Sequence, residues 1–139
     1  TVYKSSNSKP CKTKLPNLTR IQLDRLLSYY QGFMTYESCT DIMHILARHY
    51  WSSEEGCRPE LSELEEKILI LKVLQGLTWE RAADILRIRK VKVMDLMRNI
   101  ALKFIEYYYK IPEKEIEKYL GTVTVEDYMR DPKARPPIV

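Results

Sequence analysis

The chain has 139 residues, 45% of them apolar, a net charge of +4 and three cysteines. That length suits one folded domain with a real core, and the modest positive charge permits nucleic-acid binding without requiring it. No stretch approaches the roughly 18 apolar residues of a membrane span and no signal peptide opens the chain, so the sequence reads as a cytoplasmic protein without a membrane partner. Only four glycines and no period-two runs point to an all-α fold. Cys11, Cys39 and Cys57 are far apart and form no Cys-x-x-Cys pair, which indicates neither a disulfide framework nor a zinc site.

Residues 1–17 read as a basic flexible arm, with Lys4, Lys9, Lys12 and Lys14, two prolines and no acid. Residues 18–51 hold two N-terminal helices. Thr19 and Gln22 have the spacing of a capping box, and Leu23, Leu26, Leu27 and Tyr30 recur at helical intervals until Gln31 and Gly32. Ser38 or Thr40 is placed to cap the second helix, where Ile42, Ile45, Leu46 and His49 share a face up to Tyr50 and Trp51. The aromatics Tyr29, Tyr30, Phe33, Tyr36, Tyr50 and Trp51 are able to stack on bases, but their spacing reads as core. His44 and His49 stand five residues apart, off the three-or-four spacing of a metal pair, and His49 reads as a partly buried packing residue. Residues 52–59, SSEEGCRP, form a loop.

Residues 60–110 carry the densest pattern. Ser62 and Glu65 predict a capped helix start; Leu64, Ile68, Leu71 and Leu74, widened by Ile70 and Val73, predict a helix buried on most sides that stops at Gly76. Thr78 caps a short helix, Trp79 to Leu86, whose Ala82 and Ala83 allow close packing, with Ile85, Leu86 and Ile88 expected beneath the corner. A third helix starts near Lys90 and places Val93, Leu96, Met97, Ile100, Ala101 and Phe104 on one face. Between Ile85 and Ile105 six basic residues (Arg87, Arg89, Lys90, Lys92, Arg98, Lys103) face one acid, Asp95. The helix runs on to Lys110 through Tyr107, Tyr108 and Tyr109, which point in different directions and need either the next helix or a partner such as a second copy to cover them. Residues 111–139 read as a short helix opened by Pro112 and closed by Gly121, with Ile116, Tyr119 and Leu120 as its apolar stripe, then an extended tail.

The string GLTWERAADILRIRKVKVMDLMRNIAL resembles the fourth conserved region of bacterial sigma factors, and the likeness covers Leu61 to Phe104. The resemblance implies an all-α fold with a helix-turn-helix module and additional N- and C-terminal helices. It puts Arg89, Lys90, Lys92, Asp95 and Arg98 in a major groove, with Arg87 in the turn beside them and Asn99 at the margin. Arg87 stands where the family has Gly, and Arg89 where it has a Ser or Thr cap. No nucleophile with a base, phosphate loop or metal cluster is visible, so a binding protein without a cofactor is expected rather than an enzyme. The expected role is a small DNA-binding transcription regulator, of partial-sigma or phage type, partnered by double-stranded DNA and RNA polymerase or another transcription factor. The second reading is a co-activator or inhibitor of RNA polymerase on the same scaffold, without DNA binding of its own.

Overall fold

The computed structural model describes residues 15–120, and among them every regular element is helical. Helix α1 (Arg20–Gln31) starts at the expected capping box, with Thr19 accepting from the Gln22 amide and Gln22 answering at Thr19. It ends where Gly32 turns left-handed at φ 89°. A 3-10 turn, Tyr36–Cys39, leads directly into α2 (Thr40–Ser52), so neither Ser38 nor Thr40 caps that helix: Cys39 is its N-cap and supplies no side-chain bond. The join is held by Arg25 of α1 instead. Its guanidinium is buried, pairs with Asp41 at 3.0 Å and donates to the Ser38 carbonyl at 2.9 Å.

Helix α3 (Glu63–Leu69) has the predicted reciprocal cap between Ser62 and Glu65. Its continuation to Leu74 is not α-helical. Ile70–Leu74 widens into a π turn, with the Gln75 amide reaching back to the Ile70 carbonyl at 3.1 Å. The chain then turns at Gly76, φ 64°. Helix α4 (Trp79–Leu86) and helix α5 (Lys90–Tyr109) follow within a residue of the predicted bounds. A 3-10 turn, Glu113–Glu115, and the one-turn α6 (Ile116–Tyr119) close the described chain. Gly121, the tail and residues 1–14 of the arm lie outside the described residues.

Helix α5 is the axis of the fold, packing against α1, α3 and α4. Val93, Met97, Ile100, Ala101, Phe104 and Ile105 are buried along it, at the three-and-four spacing read from sequence. They meet Leu26 and Leu27 of α1, Ile42, Met43 and Leu46 of α2, and Ile68 and Leu69 of α3 in one core cluster. Phe104 packs on Tyr50 with centroids 5.9 Å apart, and Tyr108 on His49 at 5.0 Å, which confirms His49 as a packing residue. The three tyrosines at the end of α5 are covered by this chain itself. Tyr108 is buried, Tyr109 donates to the Pro16 carbonyl and Tyr107 to that of Gly56. Ile85 is 48% exposed and does not fill the corner as expected. Cys39 is a free thiol whose pKa burial pushes up to about 12. Cys57 is disulfide-bonded, contrary to the reading of unpaired cysteines.

Glu65 ties the start of α3 to α5 through Lys103, 2.5 Å away. Burial by itself would lift the Glu65 carboxyl, but the Lys103 ammonium and the Ser62 amide outweigh it and hold its pKa below the ordinary value. A carboxylate so depressed contributes its full stability above the ordinary carboxylate range and loses it as pH falls through the folded value. Glu65→Gln is therefore expected to cost about 1–2 kcal/mol at neutral pH and to flatten the loss of stability below about pH 4, read from urea melts across pH. Parallel pH curves for parent and variant contradict this.

Candidate nucleic-acid interface

The α4–α5 corner is fixed from below by a lysine in an aromatic box. Lys72, in the π turn, is only 9% exposed. Its ammonium donates to the Leu77 carbonyl at 2.7 Å and lies 4.1 Å from the Trp79 ring centroid and 5.2 Å from that of Tyr36. Burial lowers its pKa, with Glu37 and Glu80 opposing. Trp79 opens α4, meets Tyr36 edge-on at 5.1 Å and donates its indole N–H to Glu37 at 3.1 Å. Tyr36 in turn meets Tyr29 of α1 at 6.1 Å. One cation and three rings thus join α1, the 3-10 turn, the π turn and α4. Lys72 lies within the π turn, and its side chain reaches from there into this box.

Five of the six cations counted between Ile85 and Ile105 separate into two groups, and Arg98 stands apart from both. Lys90 is paired with Glu80 at 2.8 Å and Lys103 with Glu65. Arg87, Arg89 and Lys92 are exposed, and among the described residues none of their side chains makes a hydrogen bond or ion pair. Arg87 is the left-handed C-cap of α4, φ 58° and ψ 42°, and Arg89 is the extended N-cap of α5 without a side-chain cap bond. Lys110 is the other left-handed non-glycine residue, and its ammonium rests over the Tyr107 ring at 5.0 Å. Arg87 has no such contact. Lys92, Asp95 and Asn99 are exposed along one stripe of α5, while Arg98 is half-buried on the neighbouring stripe with Val91 and Met94. Arg98 therefore does not project with the others. It borders a groove of about 210 Å³ between α5 and the end of α1, beside Phe33. Of the candidate stacking aromatics, Tyr29, Tyr36 and Tyr50 are buried as expected of core, whereas Phe33 is 74% exposed. Arg81 on α4 is a further exposed cation that the charge count, begun at Ile85, left out.

His44 and His49 both border a broad depression of about 700 Å³ beside α2, with Asp41 and Arg48. Among the described residues no group of three or more His, Cys, Asp or Glu side chains could hold a metal ion, and no helix is long and apolar enough to cross a membrane.

The corner thus presents Arg87, Arg89 and Lys92 to solvent, with the groove beside Phe33 on the neighbouring side of α5. A family model described as a possible tRNA binding domain matches residues 4–135, and the chain belongs to that family. Its relatives include the tRNA(Met) cytidine acetyltransferase TmcA of Thermofilum pendens, 34% identical over 71% of this chain and 12% of that protein. The TmcA of Methanopyrus kandleri is 38% identical over 85% of this chain and 15% of that protein. TmcA 2 of Saccharolobus solfataricus is 32% identical over 71% and 13%. The chain thus matches about an eighth to a seventh of the length of these relatives. No solved structure matches it.

These findings correct the sigma resemblance and what was drawn from it. A promoter-reading helix, double-stranded DNA, RNA polymerase as partner and the co-activator alternative all give way to membership of a tRNA-binding family. The resemblance has a physical origin: a capped short helix with paired alanines, a left-handed stop and a long basic helix meet the packing needs of any tight helical corner.

Local backbone rules favour Gly at the left-handed position and Ser at the N-cap, yet arginine occupies both. Arg87→Gly is expected to stabilise the protein by roughly 0.5–1 kcal/mol, as relief of left-handed strain exceeds the entropy of a freer unfolded chain. Arg89→Ser should add about 1 kcal/mol by capping α5. Urea unfolding of each variant checks this, and a loss of stability in either contradicts the strain argument at that position.

Proposed function

We propose that the chain binds tRNA through the α4–α5 corner, with Arg87, Arg89 and Lys92 on phosphates, and that it serves as the tRNA-holding part of a cytidine acetyltransferase like its relatives. The observation that carries this is the pair of arginines at the corner. Each gives up backbone stability, is exposed and has no partner among the described residues, and residues that break local rules without a packing return are expected at functional sites. Family membership supports tRNA as the polyanion, since the family is described as a possible tRNA binding domain and the relatives are named for cytidine acetyl transfer on tRNA(Met). Lys90 and Asp95 fit a lesser role, since Lys90 is committed to Glu80 and Asp95 would repel phosphate. Asn99, one further turn along the Lys92 stripe, is placed to reach ribose or base edges. In this reading the chain contributes binding and orientation, the acetyl transfer belongs to other parts of such an enzyme, and the work is done in the cytoplasm where tRNA is found.

Binding of this kind depends on counterion release, so affinity falls steeply with salt. Titration of the 139-residue chain into labelled tRNA at several salt concentrations should give a strong negative slope. Lys92→Ala and Arg87→Gly should each weaken binding and reduce that slope by about 0.7–0.9. Lys103→Ala, which removes a cation already paired inside the fold, should change it least. Equal affinities for parent, Lys92→Ala and Arg87→Gly would reject the corner as the binding surface.

A further inference from the structure

We infer that the groove between the end of α1 and the middle of α5 receives a single unpaired base of the bound RNA, with Phe33 as its stacking platform. This rests on the tRNA reading and deepens it, by assigning a place where a base, as distinct from a phosphate, is held.

Phe33 has an anchored backbone and an open ring. Its amide donates to the Ser28 carbonyl at 2.8 Å, and the left-handed Gly32 before it donates to Ser28 and Tyr29. A residue following such a helix stop commonly folds an apolar side chain back onto the last turn. Here the ring stays 74% exposed, with its backbone pinned and its face available. The groove beside it measures about 210 Å³, less than the roughly 300 Å³ at which pockets for drug-sized ligands begin, a size for one planar ring system rather than a strand. Its walls have the chemistry of a base site. Met34 and Met94 supply polarisable thioethers suited to a ring face, Arg98 a donor for ring carbonyls, and Glu37 an acceptor for an amino group. Burial raises the pKa of the Tyr29 and Tyr36 hydroxyls, so both remain neutral at the groove's edge.

Position links the groove to the phosphate surface. Arg98 lies six residues beyond Lys92 on α5, about 9 Å along the helix axis and roughly 120° around it, so a strand leaving the corner reaches the groove mouth by wrapping across α5. A protein partner could also cover Phe33, but the exposed cations along the adjoining face select a polyanion.

The test uses two hairpin RNAs that differ only in one bulged 2-aminopurine nucleotide, with tRNA as reference ligand. The parent chain should bind the bulged hairpin about tenfold tighter than the plain one, in line with the stacking of one base on an aromatic ring, and should quench the 2-aminopurine fluorescence. Phe33→Ala, at an exposed position, should keep the parent's circular dichroism and melting temperature but lose both the preference and the quenching; Phe33→Tyr should restore them. tRNA binding with no bulge preference, or with preference and quenching unchanged in Phe33→Ala, overturns the base site and leaves the corner standing. Failure of the parent to bind tRNA overturns both.

Discussion

The ammonium of Lys72 has few ways to be satisfied once it is buried, and the architecture follows from the way that it is. Removing a cation from water costs several kcal/mol unless charge or dipole replaces the lost hydration. The Leu77 carbonyl at 2.7 Å and the faces of Trp79 and Tyr36 supply that replacement. Leu77 and Trp79 lie at the entry to α4 and Tyr36 in the 3-10 turn, so satisfying one charge ties the π turn to two other pieces of backbone. The π turn at Ile70–Leu74 belongs to the same arrangement, because it carries Lys72 and leads, through Gly76, to Thr78 at the cap of α4. The corner that bears Arg87 and Arg89 is therefore held by a polar clamp near the surface, with the apolar axis of α5 behind it.

In the proposed reading, stability and binding are set against each other at this corner. A glycine at position 87 and a serine at 89 would satisfy the backbone better, and the rest of the fold has surplus enough, in the continuous burial from Val93 to Ile105, to carry two unfavourable positions. The two arginines gain nothing inside the chain. Their neighbours divide the same way: Lys90 and Lys103 have been drawn into ion pairs that organise α4 and α3 against α5, which leaves Lys92 and the arginines as the charge facing outward.

Much of the fold was legible because it depends on local rules. Capping boxes at Thr19 and Ser62, the cap at Thr78, the stops at Gly32 and Gly76 and the spacing along α5 each act within a few residues, and each is found where the pattern places it. What escaped the sequence depends on distant partners. The 3-10 entry into α2 is stabilised by Arg25, 16 residues from Asp41, and the π turn by rings from Tyr36 and Trp79. Lys72 itself looked like one polar residue on an apolar helix. Nothing local distinguishes Phe33 from the buried aromatics around it, since its exposure follows from the direction of the chain after Gly32. The likeness to sigma factors had the same limit: the corner's packing pattern is local and the helices and turn are found where it puts them, whereas such a pattern carries no information on the ligand, for which family membership points to tRNA.

The central claim is that one face of the molecule, from the α4–α5 corner to the groove at Phe33, meets tRNA. The most direct measurement is a map of backbone amide shifts in an isotope-labelled chain as tRNA is added. The account predicts that the largest changes fall at residues 87–92, at Met94 and Arg98, and at residues 32–37, with the exposed positions of α2 little affected. Changes concentrated instead around His44 and Arg48 beside α2, with the corner silent, would contradict it.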